Sequence, residues 1–305
     1  MAKINKQERD KIREALRLYA AKYPSQNKAA ASLKGVSAAT VSGILHGKDE
    51  LISTAMWRQI ATQIGMMEDE WNVVETGNYL EITTAMADAQ AMKSVMWIVG
   101  DAGCGKTTAA RSYAKQNKGV YYILCAEDMN RGDFVKEVGR VCGVKTDGFS
   151  IREMWQFIMD QLVQLDSPLL IFDEADKLKD LVFSYFVSMY NKLEDKAGII
   201  FLSTAHIEKR VRRGLQWDKR GYKEFFSRIG RKFYELDPAT SADVAMVCRA
   251  NGVTDDEEIA KVVQEAGIAA DSWKPSGAID GIVNEYDFRR VKKSVRRTVL
   301  MRDYV

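Results

Sequence analysis

The sequence predicts an α/β protein built on a parallel sheet, with an all-helical module before the sheet and a small helical part after it. Three observations carry this. From about residue 91, apolar strands alternate with amphipathic helices, which is the sign of crossover units around a parallel sheet. Residues 1–65 show helical periodicity and little strand signal. From about residue 238 strand signals fade and helices return. The expected division is therefore an N-terminal helical domain (1–65), a connector (66–90), an α/β core (91–237) and a helical C-terminal part (238–305).

The N-terminal module is read as four helices. Lys6 to Lys22 carries an apolar stripe at Ile12, Ala15, Leu16 and Tyr19. Asn27 to Lys34 is alanine-rich, and Gly35 allows a tight turn. Ser37 is placed to cap a third helix, Ala38 to Leu45, which Gly47 ends. Ile52 to Ile64 supplies the fourth. The segment Ala29 to Leu45 has the layout of a helix-turn-helix. Small residues let two helices cross closely, and Val36, Val41, Ile44 and Leu45 would fix their angle. Ser37, Ala38, Thr40 and Ser42 are then left on the leading end of the second helix, where a recognition helix meets DNA. Lys28, Lys34 and Lys48 are candidate phosphate contacts. The exposed positions are small and include no Arg, Asn or Gln for bidentate base contacts, so loosely specific binding is expected. The connector begins with the acidic run Glu68-Asp69-Glu70 and then turns helical.

Composition excludes several classes. With 46% hydrophobic and 29% charged residues the chain is an ordinary folded protein. No apolar run nears the ~20 residues of a membrane span, so no membrane partner is expected. The N-terminal residues lack the apolar region of a secretory signal, which predicts a cytoplasmic protein. The four cysteines have no metal-like spacing and read as reduced thiols.

The strongest motif is Gly100-Asp101-Ala102-Gly103-Cys104-Gly105-Lys106-Thr107, which fits G-x-x-x-x-G-K-[ST]. It follows the strand Val95 to Val99 and opens a helix from Thr108 to Gln116, the context a phosphate loop requires. Its glycines let backbone N–H groups turn inward around phosphates. Lys106 would neutralise the β and γ oxygens, and Thr107 would ligate Mg2+. Leu169-Leu170-Ile171-Phe172-Asp173-Glu174 is a buried-type strand ending in two acids. Asp173 would hold the metal, and Glu174 would polarise the attacking water. The run Asp173-Glu174-Ala175-Asp176 also spells a helicase box. Too little chain follows Glu174 for the second recombinase-like domain such helicases need. The expected cofactors are ATP and Mg2+.

A further strand, Ile199 to Leu202, leads to Ser203 and Thr204. A hydroxyl here would lie between the two ATP-binding strands, and Thr204 is the leading candidate to orient water. Phe225-Phe226-Ser227-Arg228-Ile229-Gly230-Arg231 places two arginines after an aromatic pair. In oligomeric ATPases such an arginine completes a neighbour's site; Arg228 is favoured here, with Arg231 second. Charge is clustered. From Lys209 to Lys232 there are ten basic residues and two acids, and from Arg289 to Arg302 seven basic residues and no acid. Two such clusters beside a helix-turn-helix point to a polyanion partner, duplex DNA. Candidate contacts are Lys209, Arg210, Arg212, Arg213, Lys292 and Lys293. Phe288, Val291, Val295 and Val299 follow helical spacing, and Arg289 at the head of that helix could swing onto the γ-phosphate.

Taken together, these motifs resemble the AAA+ ATPases: phosphate loop, Asp-Glu strand, polar sensor strand, arginine finger and helical lid. More narrowly, the chain resembles the transposition protein B family of phage Mu. Val74-Glu75-Thr76, Gly100 to Thr107, Ile171 to Asp176 with Leu178, Phe226-Ser227-Arg228-Ile229, and Phe288-Arg289 with Ser294-Val295-Arg296 carry the resemblance. It implies an AAA+ P-loop core with a helical lid, and ATP-dependent self-assembly into a helical filament or ring. It also implies sequence-tolerant duplex binding, and a transposase partner that triggers hydrolysis, in a bacterial or phage-infected cytoplasm. Where that family has an asparagine on the sensor strand, this chain has Ala205 before His206, so the sensor role falls to Thr204 or Ser203. A helicase loader and an ATP-switched repressor are the alternatives. Glu174 beside Asp173 argues against a mere switch, and the helix-turn-helix argues against a loader.

Overall fold

The computed structural model describes residues 6–48, 52–65, 71–144, 148–269 and 283–302. The acidic run Glu68-Asp69-Glu70 lies outside them.

Four helices open the chain: α1 (Lys6–Ala20), α2 (Gln26–Ala31), α3 (Ala38–Leu45) and α4 (Thr54–Gln63). They close around their own core of Ile12, Leu16, Leu33, Val41, Ile44, Trp57 and Ile60. Ser25, Ser37 and Ser53 each accept a first-turn backbone N–H, so three of the four helices begin on a serine cap. Gly35 turns the chain between α2 and α3 at φ 68°, a conformation in which a β-carbon is strained. Val36, Val41 and Ile44 are buried at the crossing and Leu45 is partly buried. The helix-turn-helix expected from the spacing is thus formed by α2 and α3.

The core holds a five-stranded parallel sheet: β1 (Val95–Val99), β2 (Val120–Leu124), β3 (Leu169–Asp173), β4 (Gly198–Ser203) and β5 (Tyr234–Glu235), in the order β2-β3-β4-β1-β5. Both faces are covered. One carries α5 (Gly77–Met92) and α6 (Lys106–Gln116) around Ile82, Met86, Ala109 and Ala110. The other carries α7 (Arg131–Val141), α8 (Ile151–Val163), α9 (Asp180–Leu193), α10 (His206–Gln216) and α11 (Tyr222–Arg228). Burial on both faces explains why β3 and β4 are continuously apolar rather than alternating. Register sets Trp97 opposite Phe201 and Phe201 opposite Phe172. The rings stack at 4.4 and 5.2 Å between centroids, each pair worth ~0.5–1.5 kcal/mol beyond its buried area. This aromatic row ties together the three strands whose ends carry the site.

The segment expected as a connector contributes α5, which packs on the sheet. The C-terminal part contains α12 (Ser241–Ala250), α13 (Asp256–Ala266) and α14 (Phe288–Arg302) around Val244, Val262, Val291 and Val295. An antiparallel pair, β6 (Gly267–Ala269) and β7 (Val283–Tyr286), joins α13 to α14. Strands of three and four residues are too short to leave a periodic trace in the sequence.

The helical module is fastened to the core along α2. Lys28 Nζ donates to Gln161 Oε1 at 2.5 Å, Lys22 Nζ to the Ala114 carbonyl at 2.7 Å, and Arg140 Nη1 to the Ser32 carbonyl. Tyr23 meets Tyr121 edge to face. Gly143 lies so close to Lys28 that a β-carbon would sit 2.6 Å from its carbonyl oxygen. Lys28, expected to meet phosphate, is therefore committed to the core.

Candidate nucleotide cleft and nucleic-acid interface

Parallel sheets bind ligands beyond the carboxyl ends of their strands, and a cleft of about 350 Å³ opens there between core and lid. It is lined by Ala102, Gly103, Gly105, Lys106, Thr107, Thr108, Asp173 and Glu174. Gly103 and Gly105 adopt φ 86° and 100°, which bends the loop around the space. Helix α6 starts at Lys106 with no side chain capping it. Its first-turn amides lack intrahelical partners and, with the helix dipole, favour an anion. Lys106 is 9% exposed, and its Nζ donates to the carbonyls of Gly100 and Asp101 at 2.7 and 2.8 Å.

Asp173 is 1% exposed. One carboxylate oxygen accepts from Tyr122 Oη at 2.7 Å, and the other from the Glu174 amide at 3.0 Å. Burial, with the Asp173 charge and hydrogen bond behind it, pushes the Tyr122 phenol far above its ordinary range, so it stays a donor. Glu174 sits at φ 57° at the head of a 3-10 turn, Ala175–Lys177, and Lys177 Nζ donates to its carboxylate at 2.5 Å. The donor set fits a nucleotide and its metal: uncapped amides and an ammonium for phosphate, and Thr107 and Asp173 facing one space for a hard cation.

Strand β4 lies between β1 and β3. The Ser203 hydroxyl accepts from Trp97 Nε1 at 2.7 Å and donates to the Thr204 carbonyl, so it is spent internally. Thr204 lines the cleft, but its hydroxyl donates to Asp176 Oδ2 at 2.6 Å.

The same cleft is lined as well by Trp71, Val73, Val74, Tyr79 and Val247, with Phe288 and Arg289 from α14. Sequence patterns do not single out Trp71, Tyr79 or Tyr122, because each acts through a fold contact with a remote segment. The lid is seated on the phosphate loop itself. The Phe288 amide donates to the Gly103 carbonyl at 3.0 Å, and a β-carbon on Gly103 would fall 2.0 Å from Asp287 Oδ1.

Neither Arg228 nor Arg231 lines this cleft. Arg228 lies in a hollow with Val95 and Ile199, at the amino ends of β1 and β4 and so opposite the cleft. It donates to Asn191 Oδ1 at 2.8 and 3.1 Å and sits over the Tyr190 ring. Arg228 is therefore not placed to reach the cleft of its own chain. Arg231 is exposed at φ 56°.

The basic residues divide. Lys209, Arg212 and Arg213 face outward on α10, and Lys293 is exposed on α14. Arg210, expected at the same surface, turns inward because Asp180 offers a carboxylate to satisfy it. Lys292, expected on DNA, instead lines the cleft over the Trp71 ring at 5.3 Å. In the N-terminal module Ser37 and Lys48 are exposed, and Thr40 and Ser42 are half-buried. Ser37 Oγ accepts the Thr40 amide at 3.0 Å, so part of its capacity goes to capping α3.

An AAA domain family model matches residues 90–211. The ATP-dependent target DNA activator B of Escherichia phage D108 is 23% identical over 270 residues, spanning 84% of this chain and 83% of that protein. The same-named protein of Escherichia phage Mu matches to the same extent. Among solved structures, the ORC1 protein of Aeropyrum pernix in complex with DNA superposes with a TM-score of 0.54 at 14% identity. That match covers 78% of this chain and 63% of the other, and it speaks for the fold. No helix among the described residues is long and apolar enough to cross a membrane. Sheet order, phosphate loop, paired acids and these likenesses converge: the chain carries an AAA+ ATPase domain related to transposition protein B of Mu-like phages.

Proposed function

We propose that this chain is an ATP-dependent, sequence-tolerant duplex-DNA-binding ATPase that assembles on target DNA and delivers that DNA to a transposase or activates the transposase. The observation that carries the reading is the split between cleft and Arg228. The groups suited to grip a triphosphate line a cleft beyond the carboxyl ends of the strands, and Arg228 lies at their amino ends. That separation supports a reading in which Arg228 serves the cleft of a neighbouring copy, which makes hydrolysis depend on assembly. The names of the relatives from phages D108 and Mu support the DNA and target-activation part.

In this reading the loop Gly100 to Thr108 wraps the phosphates, Lys106 leaves its two carbonyls for the β and γ oxygens, and Trp71, Val74 and Val247 hold the base. Thr107 and Asp173 would hold Mg2+, which supplies positive charge on the β and γ oxygens. Glu174 orients and polarises water, with Thr204 steadying its turn through Asp176. Arg289 lies over the phosphates from the lid. Arg228 or Arg231 stabilises transition-state charge in the neighbouring copy; Arg231 is the more exposed, and Arg228 must leave Asn191 to act. Duplex DNA lies along Lys209, Arg212, Arg213 and Lys293. These backbone contacts tolerate any sequence and weaken steeply with salt. Ser37, Thr40, Ser42 and Lys48 on the module add contacts of low specificity.

The test is duplex binding and sedimentation with and without ATP. Binding and assembly are expected to require ATP, and both are expected to collapse in Lys106→Ala. Arg228→Ala and Arg231→Ala, singly or together, are expected to keep ATP binding and lose assembly-linked hydrolysis. Tight binding to one operator without nucleotide would establish a repressor instead. Binding only to single strands and a helicase would establish a loader.

A further inference from the structure

Arg210 stands apart in the most basic stretch of the chain. Helix α10 buries Ile207, Val211 and Gly214, which leaves Lys209, Arg212 and Arg213 to solvent. Arg210 points from the same helix toward the turn after β3. Its Nη1 donates to the carbonyls of Asp176 at 3.0 Å and Leu178 at 2.6 Å. Its Nε and Nη2 donate to Asp180 Oδ1 at 3.2 and 2.5 Å. Asp180 is a junction, since it also accepts from Tyr222 Oη at 2.6 Å and from Lys219. Partial burial opposes ionisation there, but the hydrogen bonds of Lys219, Tyr222 and Arg210 win and hold the carboxyl far below its usual range.

The gripped turn is the one that begins at Glu174. Its left-handed φ is a conformation that non-glycine residues hold only when the surroundings fix it. From inside, Thr204 bonds Asp176; from outside, Arg210 bonds the carbonyls of Asp176 and Leu178. Asp176 and Lys177 wall both the nucleotide cleft and a second cavity of about 700 Å³, which is bounded by Lys209, Arg213, Trp217 and Lys219. One short turn therefore separates the catalytic carboxylate from the basic surface.

We propose that Arg210 is a positioning residue that couples DNA on α10 to the placement of Glu174. The proposal rests on the reading of α10 as a DNA-facing helix on an ATPase. Phosphates engaging Lys209, Arg213 and Lys219 shift α10 and draw Lys219 from Asp180. Arg210, fixed to both Asp180 and the turn, transmits that shift to Glu174. Stimulation of hydrolysis by DNA then runs through this guanidinium, which touches neither DNA nor ATP.

The experiment compares Arg210→Ala, Arg210→Lys and Asp180→Asn with wild type, using a mixed-sequence linear duplex. ATPase kcat and KM are measured with no DNA and at saturating DNA, and duplex affinity is measured separately. A catalytic group moved by about 1 Å costs about 100-fold in rate, so DNA-stimulated kcat is expected to fall about 10- to 100-fold in Arg210→Ala. KM for ATP and duplex affinity are expected to stay within about twofold, the signature of an interaction that acts only in the transition state. Lysine is expected not to rescue, because one ammonium cannot bridge a carboxylate and two carbonyls. Asp180→Asn is nearly isosteric and guards against misfolding; it is expected to reduce stimulation in the same direction. Normal stimulation in Arg210→Ala, or a defect that is only weaker DNA binding and vanishes at saturation, would overturn the proposal. A wild-type chain that binds no DNA or hydrolyses no ATP would instead overturn the functional reading beneath it.

Discussion

Replacing Tyr122 by phenylalanine removes one oxygen atom and tests whether Asp173 is held as the structure describes. The carboxylate is almost fully buried and has two hydrogen-bond donors, Tyr122 Oη at 2.7 Å and the Glu174 amide at 3.0 Å. Hydrogen bonds to a charged group are worth about 1.5–3 kcal/mol, and removing the donor also strands a buried acceptor. The unliganded core is therefore expected to lose about 2 kcal/mol, a fall of about 4–8 °C in its melting temperature. Partners that orient a metal-binding side chain typically cost about 10- to 100-fold in metal affinity when removed. The Mg2+ concentration giving half-maximal ATP hydrolysis is expected to rise by that factor. Calorimetry of the free protein and a Mg2+ titration at fixed ATP measure the two effects independently. If both stay at wild-type values, Asp173 is not positioned through Tyr122, and the assignment of its buried oxygens is wrong.

Two further outcomes follow from particular side chains. Gly103→Ala places a β-carbon 2.0 Å from Asp287 Oδ1 at a φ of 86°; the left-handed backbone alone costs about 1–2 kcal/mol. Binding of a fluorescent ATP analogue is expected to weaken about tenfold or more, and Asp287→Ala in the same chain is expected to recover only the steric part. Lys22 reaches the Ala114 carbonyl at the module–core seam, where burial first and Lys115 second push its ammonium down to about 8. Its folded value lies below its ordinary 10.5, so between those two pH values this group holds more proton in the unfolded chain and its contribution to stability rises with pH. Buried thiols and phenols such as Cys142, pushed up to about 12, and Tyr122 pull stability the other way in this range, so the Lys22 contribution is read as a difference between chains: the melting-temperature gap between wild type and Lys22→Met is expected to shift in favour of wild type from pH 8 to 10.5, and a pH-independent gap would refute the assignment.

Local chemistry made much of the site legible. The phosphate loop is contiguous because backbone amides of one turn must converge on phosphate, so eight residues spell it. The acids Asp173 and Glu174 are legible because a strand buried on both faces is apolar until its end. The helix-turn-helix is legible from Gly35, the Ser37 cap and small crossing residues. Each of these is set by neighbours in the chain.

What the sequence left open depends on segments that meet only after folding. Tyr122 on β2 supports Asp173 because β2 pairs with β3. Trp71 and Val247 share a cleft across the core and lid. Ser203 loses its sensor role to the Trp97 indole, and Thr204 is turned to Asp176. Charge spacing alone put Arg210 and Lys292 on the DNA face, since a basic helix looks uniform in sequence. Only packing decides which side of it meets a carboxylate or an indole, and a guanidinium follows the partner that repays its desolvation. Composition and short-range motifs therefore determined the class of chemistry. The tertiary fold decided which side chains carry it, because burial and hydrogen-bond pairing depend on residues far apart in the chain.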